Sequence, residues 1–266
     1  MLRMGVIHIK KQTHLKFRSQ IGRRKPENIV NVENACPFCD RESLEGIIAE
    51  EDSILLLKNK YPVIENADQT VLVESDHCEG DLSTYSKDHL YRLVRFGINQ
   101  WLSFEQSGRY QSVLFFKNHG PLSGGSMRHP HMQIIGLYDV DYQENIDIAQ
   151  FEGIPIHIDT QVELNLSTKP RAGFIEFNVI ISDLAATHRL ADHLQNIVHY
   201  VRHHMSDSYN LFFYHCEGKI AVKIVPRYVM SPIYVGFSLV QVPDSIEERA
   251  EQVRKLYYSH LSQSLT

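Results

Sequence analysis

The segment that carries the most obvious chemistry runs from residue 118 to residue 133 and ends in the motif His129-Pro-His131-Met-Gln133. If this motif lies on a strand, side chains alternate between its faces, so both imidazoles and the amide point the same way. Such groups do not suit an apolar core. They suit a phosphate site, because the glycine-rich turn before them allows backbone N–H groups to approach a ligand. The turn lacks the Gly-Lys-Ser/Thr ending of an NTPase P-loop, which argues against that class.

The position of the motif in its sheet follows from Pro130, which has no N–H to donate to a strand ladder. We therefore predict an edge or bulged strand that is open to substrate. The chain contains 15 histidines, so one His-x-His can also arise by chance. The motif alone leaves both a catalytic and a structural role open.

A second chemical signal is the pair of cysteines in Cys36-Pro-Phe-Cys39. This spacing suits one tetrahedral zinc ion, but two further ligands are needed, and histidines are the natural candidates. A thioredoxin-like redox pair is the alternative. No strand precedes Cys36 in the way that motif requires, so the pattern favours zinc.

Periodicity predicts the elements that hold these residues. In the first half we expect strands at 53–58, 70–74, 112–117 and 129–136, and a helix that follows Ser86 and stops at Gly108. In the second half we expect a strand at 173–181, a helix capped by Ser182, paired strands at 210–215 and 220–225, a strand at 234–240 and a helix at 246–261. Residues 138–172 are polar and include prolines, which indicates a connector. This order predicts an α+β fold of two related halves, 1–140 and 141–266, built on a large antiparallel sheet.

Composition limits the class of protein. The 266 residues are 43% hydrophobic and 22% charged, with a net charge of −5, which is ordinary for a soluble globular protein and gives no general attraction to nucleic acid or a membrane surface. No apolar run has the length of a signal peptide or membrane span, and four cysteines do not form a secreted disulfide framework. We therefore predict a cytoplasmic protein. Any basic phosphate site must be local, and the opening supplies one in Lys10, Lys11, Lys16, Arg18, Arg23, Arg24 and Lys25.

Taken in order, the motifs resemble those of the galactose-1-phosphate uridylyltransferase-like branch of the histidine triad superfamily, which also contains ADP-sugar and diadenosine tetraphosphate phosphorylases. The resemblance covers residues 17–137 densely and the rest more thinly. It is carried by Arg-Arg-Lys-Pro26, Cys36-Pro-Phe-Cys39, Asn59-Lys-Tyr-Pro62, Val71-Leu-Val-Glu-Ser-Asp-His77, Asn118-His-Gly, Gly125-Ser126 and His129-Pro-His-Met-Gln133.

The resemblance implies a role for each matching residue. It makes Cys36, Cys39, His77 and His129 the ligands of a structural Zn²⁺, His131 the nucleophile, Gln133, Asn118, Gly125 and Ser126 the phosphate-binding residues, and Asn59 with Tyr61 the nucleoside-binding residues. Cys78 is an alternative zinc ligand, but neighbouring strand residues face opposite ways, which favours His77.

The implied activity is nucleotidyl transfer through a covalent nucleotidyl-histidine, from a nucleotide sugar or dinucleoside polyphosphate to a sugar phosphate or phosphate. The expected partners are these substrates and a second copy in a homodimer, with no nucleic acid or membrane. Lys60 replaces an acidic residue of the family's nucleoside-binding segment, and the second half has no His-x-His motif. A zinc-stabilised nucleotide-binding protein without transferase activity therefore remains an alternative.

One helix in the second half is rich in histidine. Its members His188, His193, His199, His203 and His204 allow a second metal site or a solvated helix face, and we favour the solvated face.

Overall fold

The computed structural model describes residues 14–259, so Lys10 and Lys11 of the basic opening lie outside the described residues. A ten-stranded sheet, in which every neighbouring pair is antiparallel, dominates the fold. Its strands are β1 (Ile47–Glu51), β2 (Ile54–Lys58), β3 (Ala67–Val73), β4 (Ser112–His119), β5 (His131–Leu137), β6 (Gly153–Ile158), β7 (Val162–Ser167), β8 (Phe177–Ile181), β9 (Tyr209–Cys216) and β10 (Lys219–Pro226). They lie in the order β1-β2-β3-β5-β4-β9-β10-β8-β7-β6.

The helices flank this sheet. They are α1 (Ser19–Gly22), α2 (Lys87–Gln106), α3 (Thr187–His204), α4 (Pro232–Phe237) and α5 (Ile246–Tyr257). The first five strands and the long helix α2 come from the first half of the chain, and the last five strands and α3 come from the second. The halves meet where β4 pairs with β9. The prediction of an α+β fold on a large antiparallel sheet is confirmed.

The main core lies between the sheet and the two long helices. Trp101 of α2 is fully buried, and its indole N–H donates to the carbonyl oxygen of Val113 at 3.0 Å. The rings of Phe115 and Phe213 stack with centroids 4.1 Å apart across the junction of β4 and β9. Because aromatic side chains bury large apolar areas, this contact joins the two halves into one core.

Two local features form as the sequence predicts, namely the serine cap of α2 and the hairpin of the paired strands in the second half. The hydroxyl of Ser86 accepts a hydrogen bond from the backbone N–H of His89 and caps α2. Strands β9 and β10 form a hairpin in which Glu217 and Gly218 both have positive φ, at 51° and 74°. Positive φ at both central residues is the geometry that a two-residue hairpin turn requires.

Two predictions for the second half are wrong. The segment 234–240 is not a strand, because Ser231 caps the short helix α4, whose first residue is Pro232. A serine followed by proline is a helix-start signal that outweighed the β-forming residues after it. Ser182 does not cap α3, because a short turn capped by Asp183 precedes that helix. The histidines of α3 lie mostly on a solvated face, as expected, since His188, His203 and His204 are exposed; His193, at 4% exposed, is the buried exception.

The polar segment 138–172 contains β6 and β7 as well as connecting turns. Its polar residues concealed the strands because several of them are buried. Asn165, for example, is fully buried and its amide donates to the carbonyl oxygen of Phe151 at 2.9 Å. The division of the chain at residues 140 and 141 stays a prediction.

Strand β5 is not at an edge, contrary to the expectation from Pro130, because it lies between β3 and β4. Pro130 precedes the strand, and its carbonyl oxygen accepts the backbone N–H of Glu74 at 3.1 Å. A proline immediately before a strand removes no donor from the ladder, so the central position is compatible with it.

Candidate active site and metal centre

Three cysteines and one histidine meet beside the start of β5. The side-chain donor atoms of Cys36, Cys39, Cys78 and His129 all lie within 4.8 Å of one another. Burial and the neighbouring thiols raise the pKa of Cys39 to about 12. At Cys36 the effect of burial is outweighed by hydrogen bonds with the His129 ring and the backbone N–H of Phe38, which lower the pKa of Cys36 to about 6. One thiol of the group therefore ionises readily, and three thiols with one imidazole form a group that could hold a metal ion.

Hydrogen bonding orients the histidine of this cluster. The Nε2 atom of His129 lies 2.9 Å from the carbonyl oxygen of Ser75, which can only accept, so Nε2 carries the proton. The unprotonated Nδ1 then faces the cluster, 3.6 Å from the Sγ atom of Cys36 and 3.5 Å from that of Cys39. A backbone carbonyl on the far ring nitrogen is the usual way in which proteins orient a metal-binding imidazole.

The structure places Cys78 in this cluster, whereas His77, the expected ligand, lies outside it. The side chain of His77 is 83% exposed and is 3.6 Å from the carboxylate of Asp76. The alternation of side chains along a strand favoured His77 over Cys78. However, β3 ends at Val73 and the chain bends before residue 78. Alternation does not apply to such a bend, so the fourth candidate ligand is corrected to Cys78.

His131 begins strand β5 with its ring held in a defined tautomer. Its Nδ1 atom lies 2.9 Å from the carbonyl oxygen of His129 and must donate to it. The lone pair is then on Nε2, which has no hydrogen-bond partner among residues 14–259. Burial, since the residue is only 8% exposed, lowers the pKa of His131 to about 4. The imidazole is therefore neutral at pH 7 with one nitrogen available to a ligand.

His131 opens onto a cavity of about 480 Å³ between the sheet, the glycine-rich turn and the segment around Cys39. This volume is in the range of small-molecule sites. All the residues expected to act in catalysis or substrate binding line this one cavity, namely Asn59, Tyr61, Asn118, Gly125, Ser126, His131 and Gln133. The amide of Gln133 makes no hydrogen bond within the described part of the chain and is available to a ligand.

Asn118 is positioned from the second half of the chain. Its side-chain oxygen accepts from the amide of Asn210 at 2.6 Å, and the oxygen of Asn210 accepts from the Arg227 guanidinium at 2.6 Å. These bonds orient the Asn118 amide so that its NH₂ group is left for a ligand. Arg227 therefore acts through Asn210, and Asn210 was missed because nothing in the local sequence predicts this cross-strand contact.

The glycine-rich turn comes close to Asn118 for a steric reason. A Cβ atom on Gly125 would lie 3.2 Å from the Cβ atom of Asn118, so glycine permits the approach. The backbone of the turn is anchored by Asn28, whose N–H donates to the carbonyl oxygen of Ser126 at 3.0 Å and whose side-chain oxygen accepts the N–H of Arg128 at 2.7 Å. The turn is thus fixed beside the nucleophile candidate.

The residues expected to hold a nucleoside, Asn59 and Tyr61, form a compact turn after β2. The side-chain oxygen of Asn59 accepts the backbone N–H of Tyr61 at 2.8 Å, a local bond of the kind by which asparagine stabilises turns. Lys60 lies between them and also lines the cavity.

Two further residues belong to the site. Lys25 lines the cavity, and burial lowers the pKa of its ammonium group. It is the last residue of the basic opening, and the Arg-Arg-Lys-Pro motif was the signal that could have singled it out. Phe38 lies between the cysteines of the first motif, and its ring centroid is 5.6 Å from that of His131. It was missed because the motif was considered only for its thiols.

A buried ion pair lies beneath the site. Lys117 and Glu74 are both fully buried and in direct contact, and the hydroxyl of Tyr85 donates to the same carboxylate at 2.9 Å. Glu74 precedes Ser75, whose carbonyl orients His129, so the pair ties β4 to the metal-binding segment. Breaking a buried pair typically costs about 3–5 kcal/mol, which makes this contact a structural anchor.

Lys223 does not reach the cavity. It is fully buried in the second half, where its ammonium group contacts Glu176 at 2.9 Å and the side-chain oxygen of Asn178 at 2.8 Å. Its role is to satisfy a buried carboxylate.

The ten-stranded sheet with two flanking long helices is a fold shared with solved uridylyltransferase and ADP-glucose phosphorylase structures, in agreement with the motifs. A uridylyltransferase structure has a TM-score of 0.67 at 17% identity, over 88% of this chain and 93% of the other. An ADP-glucose phosphorylase from Arabidopsis thaliana with bound ADP-glucose has a TM-score of 0.65 at 16% identity, over 91% and 98%. At these identities the likeness concerns the fold.

The chain belongs to the DUF4931 family. The profile described as the N-terminal domain of this domain of unknown function matches residues 17–140, and that of the C-terminal domain matches residues 143–258. A DUF4931 family protein from Bacillus cereus ATCC 10987 is 42% identical, with a TM-score of 0.74, over 80% of this chain and all of the other. A search among curated proteins finds no match. None of the helices within residues 14–259 is long and apolar enough to cross a bilayer.

Proposed function

We propose that this protein is a nucleotidyltransferase that moves a nucleoside monophosphate from a nucleotide sugar or dinucleoside polyphosphate to a sugar phosphate or phosphate through a covalent bond to His131. The observation that carries this proposal is the ring of His131, whose Nδ1 is held by a backbone carbonyl at 2.9 Å while its Nε2 is left to a cavity lined by phosphate-binding residue types. The folds shared with a uridylyltransferase and an ADP-glucose phosphorylase agree with it.

The first step is attack of the Nε2 lone pair of His131 on the α-phosphorus. A P–N bond forms, the P–O bond to the β-phosphate breaks, and the leaving sugar phosphate or nucleotide departs with that electron pair. The imidazole gains positive charge as the bond forms. Its Nδ1–H, which donates to the carbonyl oxygen of His129, stabilises this charge without a proton transfer.

In the second step a phosphate oxygen of the acceptor attacks the same phosphorus. The P–N bond breaks, its electron pair returns to Nε2, and His131 is again neutral. Since one group leaves before the other enters, the reaction follows ping-pong kinetics.

The other cavity residues bind and neutralise the phosphates. The amides of Gln133 and Asn118 and the hydroxyl of Ser126 can donate to non-bridging oxygens, and Lys25 supplies positive charge from the side of the glycine-rich turn. Fixed donors in a partly closed site stabilise charge that develops in the transition state more effectively than water does.

The chemistry of the four-residue cluster fits a zinc ion. Three thiols and one oriented imidazole within 4.8 Å form a Cys₃His set, which is typical of closed structural zinc sites. Zinc bound by Cys36, Cys39, Cys78 and His129 would supply structural stability. Because His129 is two residues from His131, the cluster fixes the backbone carbonyl that orients the nucleophile.

The proposal is tested by a first-turnover experiment. Purified protein is mixed with UDP-glucose, and separately with ADP-glucose, without acceptor, and released glucose 1-phosphate is quantified. We expect a burst that approaches one equivalent per chain with at least one donor, no burst with His131→Ala, and an unchanged burst with His203→Ala, an exposed control on α3. A full burst with His131→Ala would contradict the mechanism.

The second candidate is a nucleotide-binding protein without transferase activity, and the observation that favours it is Lys60, which lines the cavity at the turn expected to hold the nucleoside. Tight binding of a nucleotide with no burst and no turnover for any donor would support it.

A further inference from the structure

The cavity extends across three neighbouring strands, away from the nucleophile. Gln133 of β5 lies opposite Val71 of β3, and Val71 lies opposite Leu57 of β2. Strands are about 4.8 Å apart, so this row places Leu57 about 10 Å from Gln133. His131, which is 8% exposed with a free Nε2, is two residues before Gln133 on β5 and lies opposite Val73. The span from His131 across the row accommodates a nucleoside whose phosphate lies at His131.

The part of the cavity beyond Gln133 is apolar. Its floor is the cluster Leu55, Leu57, Val71 and Val73, and Phe38 and Leu44 pack against that cluster. Of these, Phe38, Leu44, Leu57 and Val71 line the cavity. Flat apolar surfaces of this kind suit the face of a nucleotide base. Because every base has such a face, the apolar surface does not distinguish one base from another.

The segment that covers this apolar patch carries two carboxylates. Asp40 and Glu45 both line the cavity, and Glu45 is two residues before β1. Neither side chain makes a hydrogen bond or ion pair with any residue in the range 14–259. Lys58 and Lys60 line the cavity from the end of β2 but form no ion pair with them. Both carboxylates are therefore available to a ligand.

An ionised carboxylate can only accept hydrogen bonds. A base edge that faces two carboxylates must present donors. The exocyclic amine of adenine or cytosine has two N–H donors, whereas hypoxanthine and uracil offer a single ring N–H beside a carbonyl oxygen that the carboxylates repel. We infer that Asp40 and Glu45 select a nucleotide whose base carries an exocyclic amine. This inference rests on the proposed function, since it assigns the base end of the same site.

The test uses nucleotides that differ only by an amine or a carbonyl. Binding of AMP and IMP, and of CMP and UMP, is measured by calorimetry on the full-length protein. The amine-bearing member of each pair is expected to bind roughly tenfold more tightly, because its amine donates to the carboxylates whereas the carbonyl oxygen of the other member is repelled by them. Equal or tighter binding of IMP and UMP would overturn the inference, as would the absence of binding by all four.

Variants identify the residues responsible. In the double variant Asp40→Asn/Glu45→Gln, each amide can donate as well as accept, so the two members of a pair are expected to bind within about threefold of each other. The control Glu42→Gln changes an exposed carboxylate that is in the same segment but does not line the cavity, and it should keep the wild-type ratio. A double variant that keeps the wild-type ratio would contradict the assignment.

The binding measurement is separable from the transfer mechanism. A preference for UMP together with a glucose 1-phosphate burst would leave the proposed function standing and remove this inference. A preference for AMP and CMP without a burst would keep the base assignment and remove the transfer step.

Discussion

At the scale of single residues, the chemistry depends on which nitrogen of each histidine is free. His129 donates through Nε2 to the carbonyl oxygen of Ser75, and His131 donates through Nδ1 to the carbonyl oxygen of His129. The two rings therefore present opposite nitrogens, one to the thiols and one to the cavity. One short motif thus supplies an imidazole to the cluster that could hold a metal ion and a second imidazole, the proposed nucleophile, to the cavity.

Lys25 is the residue whose charge should matter most for substrate phosphates. Replacement by methionine keeps the length of the side chain and removes its charge, so we expect the burst rate to fall by about tenfold to a hundredfold, as for the loss of one group that stabilises phosphate charge. Stopped-flow or quench measurement of the burst rate checks this. The neighbouring substitution Arg24→Gln, outside the cavity lining, should change the rate by less than about threefold. A Lys25→Met burst rate equal to that of wild type would refute the role.

The cavity residues could be predicted at this scale because the motifs fix their chemical types, and the strands that carry them formed where expected. The role of Cys78 could not be predicted, because the choice between Cys78 and His77 as the fourth candidate ligand depends on where β3 ends. A bend after Glu74 is set by tertiary bonds, such as that from the N–H of Glu74 to the carbonyl oxygen of Pro130, which no local pattern reveals. Phe38 was not predicted as a cavity residue for another reason, because an aromatic residue between two cysteines does not by itself indicate a binding site.

At the scale of elements, the segment after β3 must bring Cys78 to the first motif. We expect Cys78→Ser to weaken zinc binding by more than about tenfold and to lower the thermal unfolding midpoint, because a ligand is lost. His77→Ala is the matched control and should retain one zinc per chain. Metal analysis by inductively coupled plasma mass spectrometry, with a chelator titration, decides between them. Loss of zinc from His77→Ala but not from Cys78→Ser would restore the original ligand set.

A second test at this scale concerns the hydrogen bonds that run from Arg227, just after β10, through Asn210 of β9 to Asn118 of β4. Arg227→Met removes the donor to the side-chain oxygen of Asn210 and so frees Asn118 to rotate. Small misplacements of a substrate-positioning group can cost on the order of a hundredfold in rate, so we expect a burst rate about tenfold to a hundredfold lower with zinc content unchanged. Lys219→Met, an exposed change at the start of β10, is the control. An unaffected burst rate would show that Asn118 is held by other means.

The elements of the first half were predicted better than those of the second. Helix α2 has a serine cap and a clear apolar face, and these local signals agree with its tertiary position. Strands β6 and β7 were hidden because their polar residues are buried and bonded, as Asn165 is to Phe151. The prediction of a strand at 234–240 is wrong because the helix-start signal Ser231-Pro232 outweighs the β-forming residues that follow it.

At the scale of the whole molecule, the described residues that line the cavity all belong to the first half, from Lys25 to Gln133. The corresponding face of the second half is covered by the segment that contains Gln150 and Phe151, and a buried Lys223–Glu176 pair lies beneath it. The second half instead supplies Asn210 and Arg227 to the site of the first. This arrangement explains how a chain with one His-x-His motif can use both halves.

Buried histidines give the whole fold a defined response to acid. Burial lowers the pKa of His119 and of His193 to about 4, from an ordinary value of 6.5. Both are neutral in the native state, and the unfolded chain binds these protons at higher pH. The free energy of unfolding should therefore fall as the pH decreases from about 6.5 to about 4, by a few kcal/mol in total.

Urea denaturation at pH 7 and pH 5 measures this loss. His193→Gln removes one titrating group, so its stability should change less between the two pH values than that of wild type, whereas the exposed control His203→Gln should follow wild type. This difference also separates the histidine contribution from acid release of a metal. An identical loss in His193→Gln and wild type would contradict the assignment.

The most direct measurement of the central claim locates the bond itself. After brief mixing with a nucleotide sugar, the protein is digested at neutral pH and the peptide that begins at His129 is sequenced by tandem mass spectrometry. We predict a nucleoside monophosphate adduct on His131. The same adduct on another residue, or release of glucose 1-phosphate with no adduct on the protein, would contradict the account.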